Sequence, residues 1–164
     1  MSELLIVIFD TPDGADRFNA ALQDLRKMQR LETQDTVIAR RDMDGGVRLD
    51  QPANVPVAQT VGGAVWGLVL GAAFMVPVIG AIAGAGVGAA VGQVRDPGLD
   101  SAFTAEIAKT LRPGGSGLCL WVRNMDEKAL RDAVAEFEEQ GEIVQSPLSP
   151  EDEARLQEAL DRQV

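Results

Sequence analysis

The chain has 164 residues, of which 46% are hydrophobic and 24% charged, and its formal net charge is −10. This composition suits one folded domain, or one domain with an insertion, and excludes disordered and fibrous classes. The chain has no histidine, so the usual general base and the commonest metal ligand are missing. Its single cysteine excludes an intrachain disulfide and a cysteine zinc cluster, and the acidic charge argues against a nucleic-acid partner.

The first fifty residues predict two strands and a helix before a β-hairpin turn. The continuous apolar run 4–9 is typical of a strand covered on both faces. Thr11 and Pro12 begin a predicted helix with apolar positions as far as Met28. A second predicted strand, 36–41, is followed by a turn at 42–46 and a short returning strand, 47–49.

A long segment without charges follows this hairpin. Residues 51–94 contain no Lys, Arg, Asp or Glu, and Pro77 divides them into two apolar pieces. The first piece, 57–76, predicts a helix about 30 Å long, which matches the core of a bilayer. The second piece, 78–93, predicts a shorter helix, so the segment reads as a helical hairpin.

Glycines recur at every fourth position in both pieces, which places them on one stripe of each predicted helix. A stripe without side chains lets two helix backbones approach closely, as in membrane helices with small residues at their contacts. We therefore predict a glycine zipper that packs helices together and drives assembly. Its residues are Gly63, Gly67, Gly71, Gly80, Gly84, Gly88 and Gly92.

The last seventy residues continue with alternating helices and strands. The predicted elements are a helix with Phe103, Ile107 and Leu111 on its apolar face, a buried strand over 118–122, a helix capped by Asp126 and ending at Gly141, an edge strand over 142–145, and a helix that begins at Ser149.

The order β-α-β-β, insertion, α-β-α-β-α predicts an α+β fold with a ferredoxin-like sheet and helices on one face. We expect residues 1–50 and 95–164 to form this discontinuous domain. Residues 51–94 are the inserted glycine-zipper helical hairpin. Both ends of the hairpin return to the same domain, so a hairpin in a membrane keeps both flanks on one side.

Few residues suggest chemistry. Gly114–Gly117 is rich in glycine, but it follows a helix and precedes a strand, which favours a connecting loop over a phosphate site. Asp42-x-Asp44-Gly45 lacks the further ligands of a calcium loop and is typical of a hairpin turn. Cys119 lies within an apolar strand and is expected to be an inert core residue. We predict no catalytic residue, cofactor or metal.

Several of these motifs together resemble one bacterial family. They are Leu5–Asp10, the Asp-x-Asp-Gly hairpin, the glycine-rich hairpin, Leu111–Gly114 with Ser116, and Leu148–Ser149 followed by Glu151–Glu153. The combination is similar to domain of unknown function 1269, whose members are usually described as predicted membrane proteins. The resemblance implies no activity, cofactor or catalytic residue.

The sequence therefore favours a non-enzymatic, self-assembling membrane protein. Its α+β domain is expected to face the cytoplasm, with the hairpin as membrane anchor and oligomerisation element. The expected partners are other copies of the chain and the lipid bilayer. The alternative is a cytoplasmic homo-oligomer, a regulatory or ligand-sensing module, that buries the hairpins in its core.

Overall fold

The computed structural model describes residues 2–50, 63–74, 78–80 and 101–161. Strands and helices alternate along most of this chain. The strands are β1 (Glu3–Phe9), β2 (Leu31–Arg41), β3 (Val47–Asp50), β4 (Val78–Gly80), β5 (Ser116–Met125) and β6 (Glu142–Pro147). The helices are α1 (Gly14–Ala21), α2 (Gln23–Lys27), α3 (Gly63–Phe74), α4 (Ser101–Thr110), α5 (Glu127–Glu136) and α6 (Pro150–Asp161).

The strands form one six-stranded sheet in the order β4-β3-β2-β5-β1-β6. Its pairs are antiparallel except for the short parallel pair of β3 and β4. The fold is thus α+β, as predicted. The strands β1, β2 and β5 occupy the middle of the sheet, so their side chains supply most of the core.

Helices cover both faces of this sheet, so the expectation of helices on one face is wrong. We call the side with α1 and α5 the α1 face; there Phe18 and Leu130 pack with Leu5, Val7 and Leu118. We call the opposite side the α3 face. On it α3 and α4 pack over alternate residues of the same strands, which are Leu4, Ile6, Val37, Ala39, Cys119 and Trp121.

The reason for two covered faces lies in the strand sequences. The six residues 4–9 of β1 are all apolar and all buried, as predicted for this run. A strand with apolar side chains on both sides needs cover on both sides. Helix α3 comes from the segment 51–94, so part of the predicted insertion supplies cover for the central sheet.

The termini of several helices follow their sequence signals. Asp126 accepts a hydrogen bond from the amide of Ala129 at 3.1 Å, which confirms the predicted cap of α5. The Ser149 hydroxyl accepts from the amide of Asp152 at 3.1 Å, and the Asp152 carboxylate accepts from the Ser149 amide at 3.2 Å. This reciprocal capping box confirms the predicted start of α6.

The helix predicted between Thr11 and Met28 is interrupted. Buried Leu22 lies between α1 and α2 and is the C-cap of one helix and the N-cap of the other. Helix α5 ends at Glu136, well before Gly141, because Phe137 takes an extended backbone conformation. The Phe137 ring then packs against Phe9 and Phe18, with centroids 5.3 and 5.2 Å apart.

The segment 51–94 differs most from its prediction. The helix expected over 57–76 is described over Gly63–Phe74, about 18 Å in length. No helix among the residues that the structure describes is long and apolar enough to cross a membrane. Val78–Gly80, predicted to begin a second helix, is a strand that pairs with β3. Two β-branched residues there meet the free edge of a four-residue strand, which favours pairing over helix.

Candidate functional site

The candidate site lies on the α3 face, where the helix α3 meets the sheet. Trp66, Val69 and Leu70 of α3 have no exposed surface. The Trp66 ring packs against Phe103 of α4, with centroids 6.4 Å apart. At the end of α3 the Arg41 guanidinium lies 4.5 Å from the centroid of Phe74 and also donates to the carbonyl of Leu111 at 2.9 Å. These contacts fix α3 to β2 and to the end of α4.

The predicted zipper glycines fall into three groups. Gly63, Gly67 and Gly71 belong to α3, and Gly67 and Gly71 are buried. A Cβ atom built on Gly67 would lie 3.9 Å from Cδ1 of Leu49, so this glycine faces a side chain of β3. Gly80 is in β4. Gly84, Gly88 and Gly92 lie outside the described residues.

Helix α3 is apolar around its whole circumference. Its twelve residues contain no polar side chain except the indole N–H of Trp66. The sheet, α4 and α6 contact part of α3, and the remaining side of the helix is apolar by its sequence. A helix with this pattern is stable in water only when a second apolar surface covers it. This side of α3 is therefore a candidate surface for association.

A second feature of the α3 face is a buried carboxylate on β2. Asp35 is 3% exposed, and its cross-strand partner on β5 is Trp121. The same row continues through Leu4 on β1 to the buried Ser146 on β6. We call this row, Asp35, Trp121, Leu4 and Ser146, the Asp35 row. It places two polar side chains at one end of an otherwise apolar face.

A β-bulge puts Asp35 on this face. The pairing of β2 with β5 shifts register between Glu32 and Asp35, and one residue of each strand, Gln34 of β2 and Arg123 of β5, is left without a cross-strand partner. Regular alternation would place Leu31 and Asp35 on the same side of the strand. Leu31 instead packs on the α1 face, whereas Asp35 is in phase with Val37 on the α3 face.

The surroundings of Asp35 disfavour its charged form. Burial raises the pKa of Asp35 to about 7, and the nearby amide of Thr36 opposes this shift. That amide does not reach hydrogen-bond geometry, and neither carboxylate oxygen has a partner within the described residues. The indole N–H groups of Trp66 and Trp121 are also buried without a partner there. Native proteins leave few such groups unpaired.

Cys119 lies on the same face, opposite Val37 and diagonal to Asp35. It is fully buried, as expected from its apolar strand. Burial raises the pKa of the Cys119 thiol well above its ordinary value, and the charge of Asp35 adds to the shift. A protonated, inaccessible thiol is a poor nucleophile, so the residue acts as part of the core.

Two motifs that resembled binding loops are structural. The amides of Gly45 and Asp42 donate to the carbonyls of Asp42 and Gly46 at 2.9 and 2.7 Å, which closes the predicted hairpin turn. Gly114 takes a left-handed backbone with φ +87° between α4 and β5, which confirms a connecting loop. Within the described ranges no group of three Asp, Glu or Cys residues is arranged to hold a metal ion.

Sequence reasoning missed Asp35 for an identifiable reason. Residues 32–36 are mostly polar, so the predicted strand began at Thr36 and left Asp35 in a loop. The strand actually begins at Leu31. A bulge leaves no periodic signal, because it breaks the alternation by which a strand is identified.

Comparison with known proteins gives one family. The family model described as "Protein of unknown function (DUF1269)" matches residues 60–161, a range that runs from the start of α3 to the end of α6. This match confirms the resemblance expected from the sequence motifs. No curated protein and no solved structure matches the chain.

Proposed function

The chain belongs to the DUF1269 family, and on that premise we propose that it is a non-enzymatic, self-assembling protein. Its domain is ferredoxin-like, and the charge-free segment 51–94 joins copies of the chain into a homo-oligomer. In this proposal the oligomer is a regulatory or ligand-sensing module, and its apolar segments are buried between copies.

The strand order supports the ferredoxin-like part of the proposal. The four strands β6-β1-β5-β2 are adjacent and antiparallel. The connection through α1 and α2 joins β1 to β2 across β5, and the connection through α5 joins β5 to β6 across β1. Two interleaved βαβ units of this kind define the ferredoxin-like pattern. The segment with β3, α3, β4 and α4 is then an elaboration between the second and third of its strands.

The uniform apolar surface of α3 is the observation that carries the assembly proposal. The helix buries Trp66, Val69 and Leu70 completely, so it is held by the domain. Its sequence offers no polar face to water. Another copy of the segment 51–94 has the same composition, so it supplies the apolar surface that α3 requires.

A lipid bilayer is the second candidate for the apolar surface that covers α3. The absence of charges over residues 51–94 favours it, since lipid accepts such a segment without a protein partner. In this version the α+β domain lies on the cytoplasmic side. Arg40, Arg41 and Arg48 on β2 and β3 precede the segment closely in the chain, and basic residues beside a membrane segment favour the cytoplasmic side. The glycines at four-residue spacing then pack helices within the membrane.

Sedimentation without detergent and flotation with phospholipid vesicles separate the two candidates. A discrete oligomer that does not float with vesicles supports the assembly proposal. Flotation that resists carbonate extraction supports the membrane version. A monomer that does not float with vesicles contradicts both versions.

A pair of variants tests whether the segment itself is responsible. Gly84→Leu adds a bulky side chain within the segment, and it is expected to reduce the oligomer or the vesicle-bound fraction. Ala135→Leu adds the same side chain at an exposed position of α5 and is expected to change neither. An unchanged Gly84→Leu variant would remove the glycine stripe from the argument.

A further inference from the structure

Buried polar atoms without a hydrogen-bond partner recur on the α3 face. Both carboxylate oxygens of Asp35 and the indole Nε1 atoms of Trp66 and Trp121 are buried without a hydrogen-bond partner among the described residues. Asp35 and Trp121 are direct neighbours across the β2–β5 ladder and point to the same face. Each such group costs free energy unless something outside the described chain pairs with it.

Within the described residues, the Asp35 carboxylate lacks a partner in either protonation state. When it is charged, no Lys or Arg of the described residues forms an ion pair with it. When it is protonated, its hydroxyl has no acceptor, because neither oxygen has a hydrogen-bond partner within the described ranges. Any partner for Asp35 must therefore bring hydrogen-bond donors and, at neutral pH, a positive charge.

The residues around Asp35 indicate which chemical class of partner fits the site. A metal ion needs several oxygen ligands, and the described residues hold no group of acidic residues arranged for one. Apart from Asp35 and Ser146, the Asp35 row consists of the apolar Leu4 and the aromatic Trp121. A protonated amine meets these conditions, since its N–H groups pair with the carboxylate and its alkyl body suits the apolar wall. An indole face also attracts a cation.

We propose that Asp35 and the Trp121 indole form a binding site for a small protonated amine at the end of the α3 face. Asp35 supplies the charge and both acceptors, and Trp121 supplies the aromatic wall. The bulge between β2 and β5 directs the carboxylate to this face instead of the α1 face. Asp35 and Trp121 keep 3% and 5% of their surface exposed, whereas Leu4 and Cys119 on the same face are fully buried, so in this proposal the amine enters at the end of the sheet.

Proton binding competes with amine binding in this arrangement. The amine needs the charged carboxylate, and burial holds the pKa of Asp35 at about 7 in its absence. Apparent affinity scales with the fraction of protein in the competent state. Affinity therefore falls roughly tenfold for each pH unit below about 7, and a bound amine lowers the pKa of Asp35.

Intrinsic fluorescence gives a direct readout, because both tryptophans of the chain lie on the α3 face. The full chain is titrated with ethylammonium chloride near pH 8, where an alkylammonium keeps its proton, and sodium chloride at equal ionic strength is the reference. We expect a saturable change with ethylammonium that sodium chloride does not reproduce. The same titration near pH 5 is expected to show affinity about a hundredfold lower.

Two matched variants locate the bound amine. Asp35→Asn removes the charge with little change of shape and is expected to abolish saturation. Asp132→Asn makes the same change at an exposed position of α5 and is expected to leave the titration unchanged. Near-ultraviolet circular dichroism verifies that both variants are folded, and the pH comparison on the unmodified chain tests the proposal independently of them. Absence of a saturable response, equal affinity near pH 5 and pH 8, or saturation in Asp35→Asn would overturn the proposal.

Discussion

Leu31 and Asp35 lie four residues apart in the same strand, yet they are buried on opposite faces of the sheet. The bulge between them is the reason, because Gln34 of β2 and Arg123 of β5 are left out of the pairing and the alternation of both strands changes phase there. One consequence is that Leu31 completes the apolar core of the α1 face. The other is that a carboxylate is buried on the α3 face, where it has no partner within the described part of the chain.

This burial predicts a pH-dependent loss of stability. The pKa of Asp35 is about 7 in the folded chain and about 3.9 in an unfolded one. A raised carboxyl pKa means that the folded state binds more protons, so the contribution of Asp35 to stability falls as pH rises from about 4 to about 7 and is then constant. The cost of the charged form above that range is about 4 kcal/mol.

Asp35→Asn isolates this contribution, since the amide stays neutral at every pH. We expect the variant to exceed the unmodified chain in free energy of unfolding by an amount that grows up to about 4 kcal/mol between pH 4 and pH 7. Urea denaturation at a series of pH values, followed by tryptophan fluorescence, measures the difference. Two parallel curves would show that Asp35 does not titrate with an altered pKa.

Trp66→Ala tests whether α3 belongs to the cooperative core. The Trp66 side chain is fully buried between the sheet and Phe103, and truncating such a residue costs about 3–5 kcal/mol. The control is Met43→Ala, which changes a side chain that is 81% exposed and is expected to have little effect. If global unfolding of Trp66→Ala matches that of the control, α3 detaches before the domain unfolds.

The parts of this fold that the sequence predicted have strong local signals. The apolar run of β1 and the caps at Asp126 and Ser149 depend on neighbours in the chain, so pattern and capping chemistry were sufficient. The segment 51–94 was harder, because an apolar helix has the same composition whether a sheet, another copy or lipid covers it. Which surface covers α3 depends on tertiary packing, because the apolar residues in the same core, such as Leu49 and Ala39, lie on strands distant in the sequence.

Ser116→Ala tests the connection between α1 and β5. The fully buried Ser116 hydroxyl donates to the carbonyl of Thr11 at 2.7 Å and accepts from the amide of Ala15 at 3.1 Å. Its removal leaves two backbone groups without their partner, at a cost of about 1–3 kcal/mol. The comparison is Ser149→Ala, which removes an exposed cap that water replaces in part and costs about 1 kcal/mol. A smaller loss in Ser116→Ala than in Ser149→Ala, by chemical denaturation, would contradict this assignment.

Gly67→Ala distinguishes a glycine that faces the sheet from one that touches another helix. The added Cβ would lie 3.9 Å from Leu49, an ordinary contact, and alanine favours a helix over glycine by about 1 kcal/mol. We therefore expect greater thermal stability and an unchanged assembly size. Gly117→Ala is the contrast, because its Cβ would lie 2.6 Å from Cδ1 of Ile6 and overpack the α3 face. If instead Gly67 forms a close helix–helix contact between copies, the added methyl group separates the two backbones, and sedimentation would show a smaller assembly.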